Sequence, residues 1–146
     1  MQAFNQAQST ELFTVCLKRK TGYEPALAKA LGFTHVSERL YDALTPSGQP
    51  VEFKKQSGLQ WIDLVKLSEL TEDQMSIVLY WFVHTDGVVQ TVYSCNYAEL
   101  IDALGISRLQ LRATRWFSRL CGGLQIQIKL PIKATVISTF SKQWER

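Results

Sequence analysis

Asp42, Glu52 and Lys54 stand in the pattern D-x9-E-x-K within residues 41–56, YDALTPSGQPVEFKKQ. On an extended strand, residues two apart point to the same face. Glu52 and Lys54 therefore project together, while Phe53 faces the other way. Pro46, Ser47 and Gly48 are turn formers, and Pro50 restricts the backbone ahead of the second run. A hairpin across that turn would return Asp42 to the side of the pair. Carboxylate oxygens suit hard cations, and Mg2+ takes only one or two protein carboxylates while keeping waters and phosphate oxygens. Such an ion polarises a phosphate and lowers the pKa of a bound water. Lys54 could orient that water or stabilise developing negative charge. Spacing alone fits a solvated hairpin with an ordinary charge pair equally well.

The neighbouring elements must hold these three residues in place. Residues 24–31 read as a short helix, with Pro25 tolerated in its first turn and Gly32 as its stop. Glu24 in that turn is either a surface acid favoured by the helix dipole or a further carboxylate beside the metal. Residues 33–44 and 51–55 would be the strands of the hairpin. Upstream, residues 11–20 read as a helical or mixed run capped by Ser9 or Thr10, ending in the basic cluster Lys18, Arg19 and Lys20. Downstream, residues 59–65 form a third extended piece or a substrate-contacting loop, and 68–74 a polar connection.

The run MSIVLYWFV over 75–83 is the most apolar in the chain, and its β-branched and aromatic content predicts a buried central strand. Asp86-Gly87 is a hairpin signal, with 88–93 as the returning strand. Residues 96–104 predict a capped helix stopped at Gly105, and Ser107 caps a longer one to about Leu120. Residues 124–128 and 134–140 read as late strands, and the tail KQWER as exposed except for Trp144. The expected architecture is a single α/β (α+β) domain over residues 1–146, with a mixed central sheet of about five strands flanked by helices.

Arg108, Arg112, Arg115 and Arg119 recur at spacings of four, three and four, on one face of the second helix. Leu109, Ala113, Trp116 and Leu120 form a neighbouring apolar stripe able to dock it. No acid within that helix pairs the arginines, which therefore suit an anionic partner such as a phosphate backbone. A solvated face is the plainer reading. The helix–turn–helix over 97–120 could enter a major groove or be an ordinary helical hairpin. Lys55, Gln56 and Gln60 follow the hairpin, and Gln125 and Gln127 alternate on a late strand. Glutamine can pair with adenine in the major groove, although on a surface strand it is more often polar filler.

The chain of 146 residues is 46% hydrophobic with a net charge of +3, enough for a core and permissive of a nucleic-acid partner. Cys16, Cys95 and Cys121 are widely spaced, which argues against a disulfide framework or a cysteine zinc site. His35 and His84 lack ligand-spaced partners. The polar start MQAFNQAQ carries no signal-peptide pattern, and no apolar run spans a bilayer, so a cytoplasmic location and no membrane partner are expected.

The stretch DALTPSGQPVEFKKQ resembles the active-site hairpin of the PD-(D/E)xK nuclease superfamily. More narrowly, it is similar to the PvuII-type restriction endonucleases, which carry an Asp-Ala pair, a Gly-Gln turn and Glu-x-Lys at the same spacing. GYEPALAKALGF resembles the helix before that hairpin, IVLYWFVHTDGVVQTVYSCNYAEL the strand pair and helix entry after it, and IKLPIK a late strand. Tyr41 replaces the proline before the aspartate. The histidine-rich base-contacting segment has no counterpart after Gly58, and Gln125, Ile126 and Gln127 stand where paired asparagines would precede the late strand.

The resemblance implies a restriction-endonuclease-like fold and a Mg2+-dependent endonuclease acting on double-stranded DNA. Asp42 and Glu52 would bind metal, Lys54 would position water, and Glu24 or Glu38 would assist. Lys55, Gln56, Gln125, Gln127 and the four arginines would grip DNA. A duplex cutter with one site per chain most simply works as a homodimer, with a tetramer as in some homing enzymes the other possibility. A homing, repair or junction nuclease of the same fold is the nearest alternative, and a non-catalytic helix-turn-helix DNA-binding protein the more distant one.

Overall fold

The computed structural model describes residues 4–18, 20–57, 59–131 and 140–146. Helix α1 (Gln6–Leu12) starts at Asn5, earlier than the expected cap at Ser9 or Thr10. Asn5 and Gln8 exchange side-chain and backbone hydrogen bonds at 2.9 Å, satisfying two orphan amides at once. Helix α2 (Tyr23–Leu31) ends at Gly32, whose φ of 74° is the left-handed cap that glycine adopts without strain. The expected strand over 33–44 divides into β1 (Thr34–His35) and β2 (Ala43–Leu44). Val36 donates to the Asp42 carbonyl, and the polar residues between them lack the alternation that would hold a strand.

Strand β3 (Pro50–Gln56) follows, then β4 (Leu59–Asp63). Asp63 caps helix α3 (Leu64–Ser68) by accepting from the Val65 and Lys66 amides. After a 3-10 turn at Asp73–Ser76 come β5 (Val78–Thr85) and β6 (Val88–Asn96). Asp86 at φ 50° and Gly87 at φ 84° give the doubly left-handed turn that Asp-Gly favours between strands. Asn96 and Glu99 form a capping box on α4 (Tyr97–Leu104), and Ser107 and Gln110 another on α5 (Arg108–Leu120). Among the described residues the remaining strands are β7 (Gln127–Pro131) and β8 (Ser141–Glu145). The strand expected over 134–140 falls, up to residue 139, outside the described residues.

Two compact units share the chain: Met1–Ser57 with Ile77–Cys95 and Phe140–Arg146, and Gly58–Ser76 with Asn96–Thr139. The first contains a six-stranded mixed sheet in the order β1-β2-β3-β5-β6-β8, one strand more than expected. β3 and β5 run parallel, from Val51 opposite Val78 to Gln56 opposite Val83. β1 with β2, β2 with β3, and β6 with β8 are antiparallel. One sheet face carries Val51, Phe53, Tyr80 and Phe82 into a core with Leu12 and Leu27. On the other face Leu79 and Trp81 are 0% exposed, so β5 is buried on both sides. That double burial accounts for its unbroken apolar run. Removing Phe82 from such a site typically costs about 3–5 kcal/mol.

The tail KQWER is not a free end. Up to Glu145 it lies in β8, where Trp144 stands opposite Val92 and packs on the core, and Gln143 is buried.

In the second unit β4 pairs antiparallel with β7, from Leu59 opposite Pro131 to Asp63 opposite Gln127. Helix α5 packs on α3, and α4 on the 3-10 turn. Helix α5 buries Leu111 and Ser118. The stripe expected to dock it is instead exposed, with Leu109 at 70%, Trp116 at 68% and Leu120 at 72%. The Ser118 hydroxyl donates to the Leu124 carbonyl, so a small polar residue lets that face approach closely. Among the described residues no helix is long and apolar enough to cross a membrane.

Candidate functional site

The β2–β3 hairpin brings Asp42 beside Glu52. The Asp42 amide donates to the Val51 carbonyl at 2.8 Å, and Asp42 Oδ2 accepts from the Phe53 amide at 2.8 Å. The carboxylate is thus pinned to the backbone of the strand that carries Glu52 and Lys54. Strand alternation puts Glu52 and Lys54 on one face, with Lys54 Nζ 3.7 Å from Glu52 Oε1. The Glu52 side chain is 8% exposed and that of Lys54 25%, so the pair sits in a partly dry setting where electrostatic interactions strengthen.

Helix α2 delivers a third carboxyl. Burial raises the Glu24 pKa first, the Asp42 charge and a hydrogen bond with Asp42 raise it further, and Tyr23 and His35 counter the rise. Glu24 therefore holds its proton more tightly than an ordinary glutamate, first because it is partly buried and then because it faces another carboxylate. The Tyr23 hydroxyl is pushed up to about 12 by burial, then by the charges of Glu24, Asp42 and Glu52. The charges of Glu24, Asp42 and Glu52 thus all reach Tyr23.

Spacing in the sequence singled out neither Tyr23 nor His35. Tyr23 lies next to Glu24 in the first turn of α2, and His35 sits on β1 opposite Ala43, next to Asp42. Their only signal was adjacency to residues already chosen. Glu38 is exposed in the loop between β1 and β2, and the carboxyl that the structure couples to Asp42 is Glu24.

Two of the residues expected to grip DNA are turned elsewhere. Lys55 follows Lys54 on the strand and so points to the opposite face. Its ammonium donates to the Leu17 carbonyl at 2.8 Å and lies 4.1 Å from the Tyr23 ring centre. Gln56 returns to the Glu52 and Lys54 face but is 1% exposed, which withdraws its amide from any base edge.

The other expected contacts lie in the second unit. Arg112 and Arg119 are exposed and Arg115 is half-buried on α5. Arg108 is paired with Glu72, an acid outside its own helix. Gln125 and Gln127 are exposed.

Among the described residues no group of three or more His, Cys, Asp or Glu side chains is arranged to hold a metal ion. The donor chemistry at Asp42 and Glu52 nonetheless fits Mg2+, which needs one or two protein carboxylates. The Asp42 charge, after burial, contributes to the raised Glu24 pKa, and a cation would offset that part. Neither a known family model nor a curated protein matches this chain.

Proposed function

We propose that this chain is a Mg2+-dependent endonuclease of the PD-(D/E)xK type, with a restriction-endonuclease-like fold, that hydrolyses double-stranded DNA. The observation that carries the reading is the Asp42 carboxylate locked to the Phe53 amide, beside Glu52 and Lys54. In this reading Asp42 and Glu52 hold the ion. When bound, it polarises the scissile phosphate and acidifies a water. Lys54 orients the attacking water and stabilises negative charge as it develops on the phosphate. Glu24, beside Asp42 on helix α2, would assist by orienting a water held on the ion. Arg112, Arg115 and Arg119 supply sequence-independent phosphate contacts.

The test is nicking of supercoiled plasmid by the purified chain with and without Mg2+, beside Lys54→Ala. Cleavage that needs the metal and is lost in the variant supports the reading, and discrete fragments would mark sequence specificity. DNA bound but never nicked under any divalent metal sinks it. That outcome favours a non-catalytic DNA-binding protein, for which α4, the turn at Gly105 and α5 supply the structural motif. A homing, repair or junction nuclease would share the hairpin chemistry and differ in its preferred substrate.

A further inference from the structure

The two ends of helix α2 are held in different ways. At its C-terminus Gly32 adopts the left-handed cap, and the Phe33 amide donates to the Ala28 carbonyl at 2.8 Å. Leu27, Ala28, Ala30 and Leu31 anchor that end in the core. The N-terminus has neither support. Gly22 stands at the cap position and has no side chain to accept from the first-turn amides. Tyr23 and Glu24 are half-buried, and Pro25 and Ala26 are exposed. Helix ends left in this state fray. Yet this turn carries Glu24 to Asp42.

Lys55 supplies the missing restraint. Its ammonium lies 4.1 Å from the centre of the Tyr23 ring and donates to the Leu17 carbonyl at 2.8 Å. The Leu17 amide in turn donates to the Gly87 carbonyl at 2.9 Å, and Leu17 is 1% exposed, so the carbonyl that receives Lys55 is itself fixed. Lys55 is thus anchored on one side to the turn between β5 and β6 and meets Tyr23 on the other. A half-buried ammonium is drawn to a ring face more strongly than one in open water, because less solvent competes for it. The Tyr23 hydroxyl then donates to the Glu24 carboxyl, which also bonds with Asp42.

We infer that Lys55 is a positioning residue: through the Tyr23 ring it fixes the first turn of α2 and so holds Glu24 against Asp42. What Glu24 does once held there rests on the proposed nuclease activity. Two consecutive lysines of β3 thereby divide the work. Lys54 faces Glu52, and Lys55, on the opposite face, sets the helix that delivers the further carboxyl. An uncharged side chain of similar length could fill the space but could not donate to the Leu17 carbonyl.

Hydrogen exchange of the full chain, without DNA or divalent metal, tests this brace whatever the activity of the protein. In an i to i−4 ladder the amides of Ala26 and Leu27 close the first turn. Lys55→Met keeps the stem and removes the charge. It should speed exchange at those two amides by at least roughly tenfold and leave Phe53 and Tyr80 unchanged. Tyr23→Leu should do the same. Tyr23→Phe, which keeps the ring, and Lys55→Arg, which keeps a cation, should retain the protection of the wild type. Unchanged exchange at Ala26 and Leu27 in Lys55→Met overturns the inference. So does an equal acceleration at Phe53 and Tyr80, which would make Lys55 a residue of general stability.

Plasmid nicking gives the second readout. Lys55→Met should slow it by about tenfold, Lys55→Arg should rescue it, and Lys55→Met should have no further effect in a Glu24→Gln background. Additive losses in the double variant would overturn a role exerted through Glu24. A wild type that never nicks would end the nuclease reading, and the exchange result would then decide the brace by itself.

Discussion

The carboxylate of Asp42 accepts a hydrogen bond from the backbone amide of Phe53 at 2.8 Å, one residue from Glu52 and one from Lys54. This contact gives Asp42 a structural role as well as its proposed chemical one, and the two roles can be separated. Asp42→Ala leaves the Phe53 amide without its acceptor, a loss of about 1–2 kcal/mol that should appear as a melting point lower by several degrees. Asp42→Asn keeps an acceptor oxygen and removes the charge. It should melt near the wild type yet lose on the order of 100-fold or more in plasmid nicking. A fully active Asp42→Asn would remove that residue from the proposed metal site.

Glu24 makes stability depend on pH in a direction opposite to that of most acids. Its folded pKa is raised above the ordinary glutamate value of 4.5, chiefly by burial and then by the Asp42 charge. The folded protein therefore binds that proton more tightly than the unfolded chain. Its contribution is fully present below 4.5 and is lost as pH rises through the folded pKa. Glu24→Gln should accordingly gain on the wild type in urea midpoint as pH rises from 4.5 through the folded pKa. Parallel midpoints across that range would show that the carboxyl is not strained by its neighbours.

The arginines of α5 should not contribute equally to DNA affinity. Arg119 is exposed, whereas Arg108 is already paired with Glu72. Arg119→Ala should lower the slope of log affinity against log salt by about 1, measured by fluorescence anisotropy on a duplex. Arg108→Ala should change it less, and Glu72→Ala should release Arg108 and steepen the slope. Equal effects at the two arginines would mean that the ion pair does not hold in solution.

Gly87 and Gly48 have nearly the same φ, +84° and +86°, and very different surroundings. A Cβ at Gly87 would stand 2.8 Å from the Lys18 backbone nitrogen, and one at Gly48 would meet nothing within 4 Å. Leu17 also donates its amide to the Gly87 carbonyl at 2.9 Å, so that segment cannot easily withdraw. Gly48→Ala should cost about 1–2 kcal/mol from backbone strain alone. Gly87→Ala should cost clearly more in the same denaturation experiment. Equal losses would indicate that the segment at Leu17 and Lys18 yields freely.

The hairpin was legible in the sequence because two local rules sufficed: the turn formers at 46–48 and the two-residue period that aligns Glu52 with Lys54. That same period would have placed Lys55 on the far face, which the structure does, against Tyr23 and the Leu17 carbonyl. The role of Tyr23 was not legible, since its influence on Asp42 depends on how α2 packs near the hairpin. Helix α5 was visible in its extent and in its Ser107 cap. Periodicity pointed to Leu109, Ala113, Trp116 and Leu120 as the docking face, however, and tertiary packing buried the face with Leu111 and Ser118 instead. β8 was missed because a strand written SKQWE has one large apolar residue, and its partner β6 lies far back in the chain.

That distance has a kinetic consequence. Strand β8 pairs with β6 across all of α4, α5 and β7, and closing so long a loop is slow compared with forming the β5–β6 hairpin. Throughout that interval the edge of β6 presents unpaired amides and carbonyls beside Val92, a template for any passing strand. The arrival of Trp144 on Val92 acts as the latch that ends this exposure, and the chain is most prone to aggregate in the time before it closes.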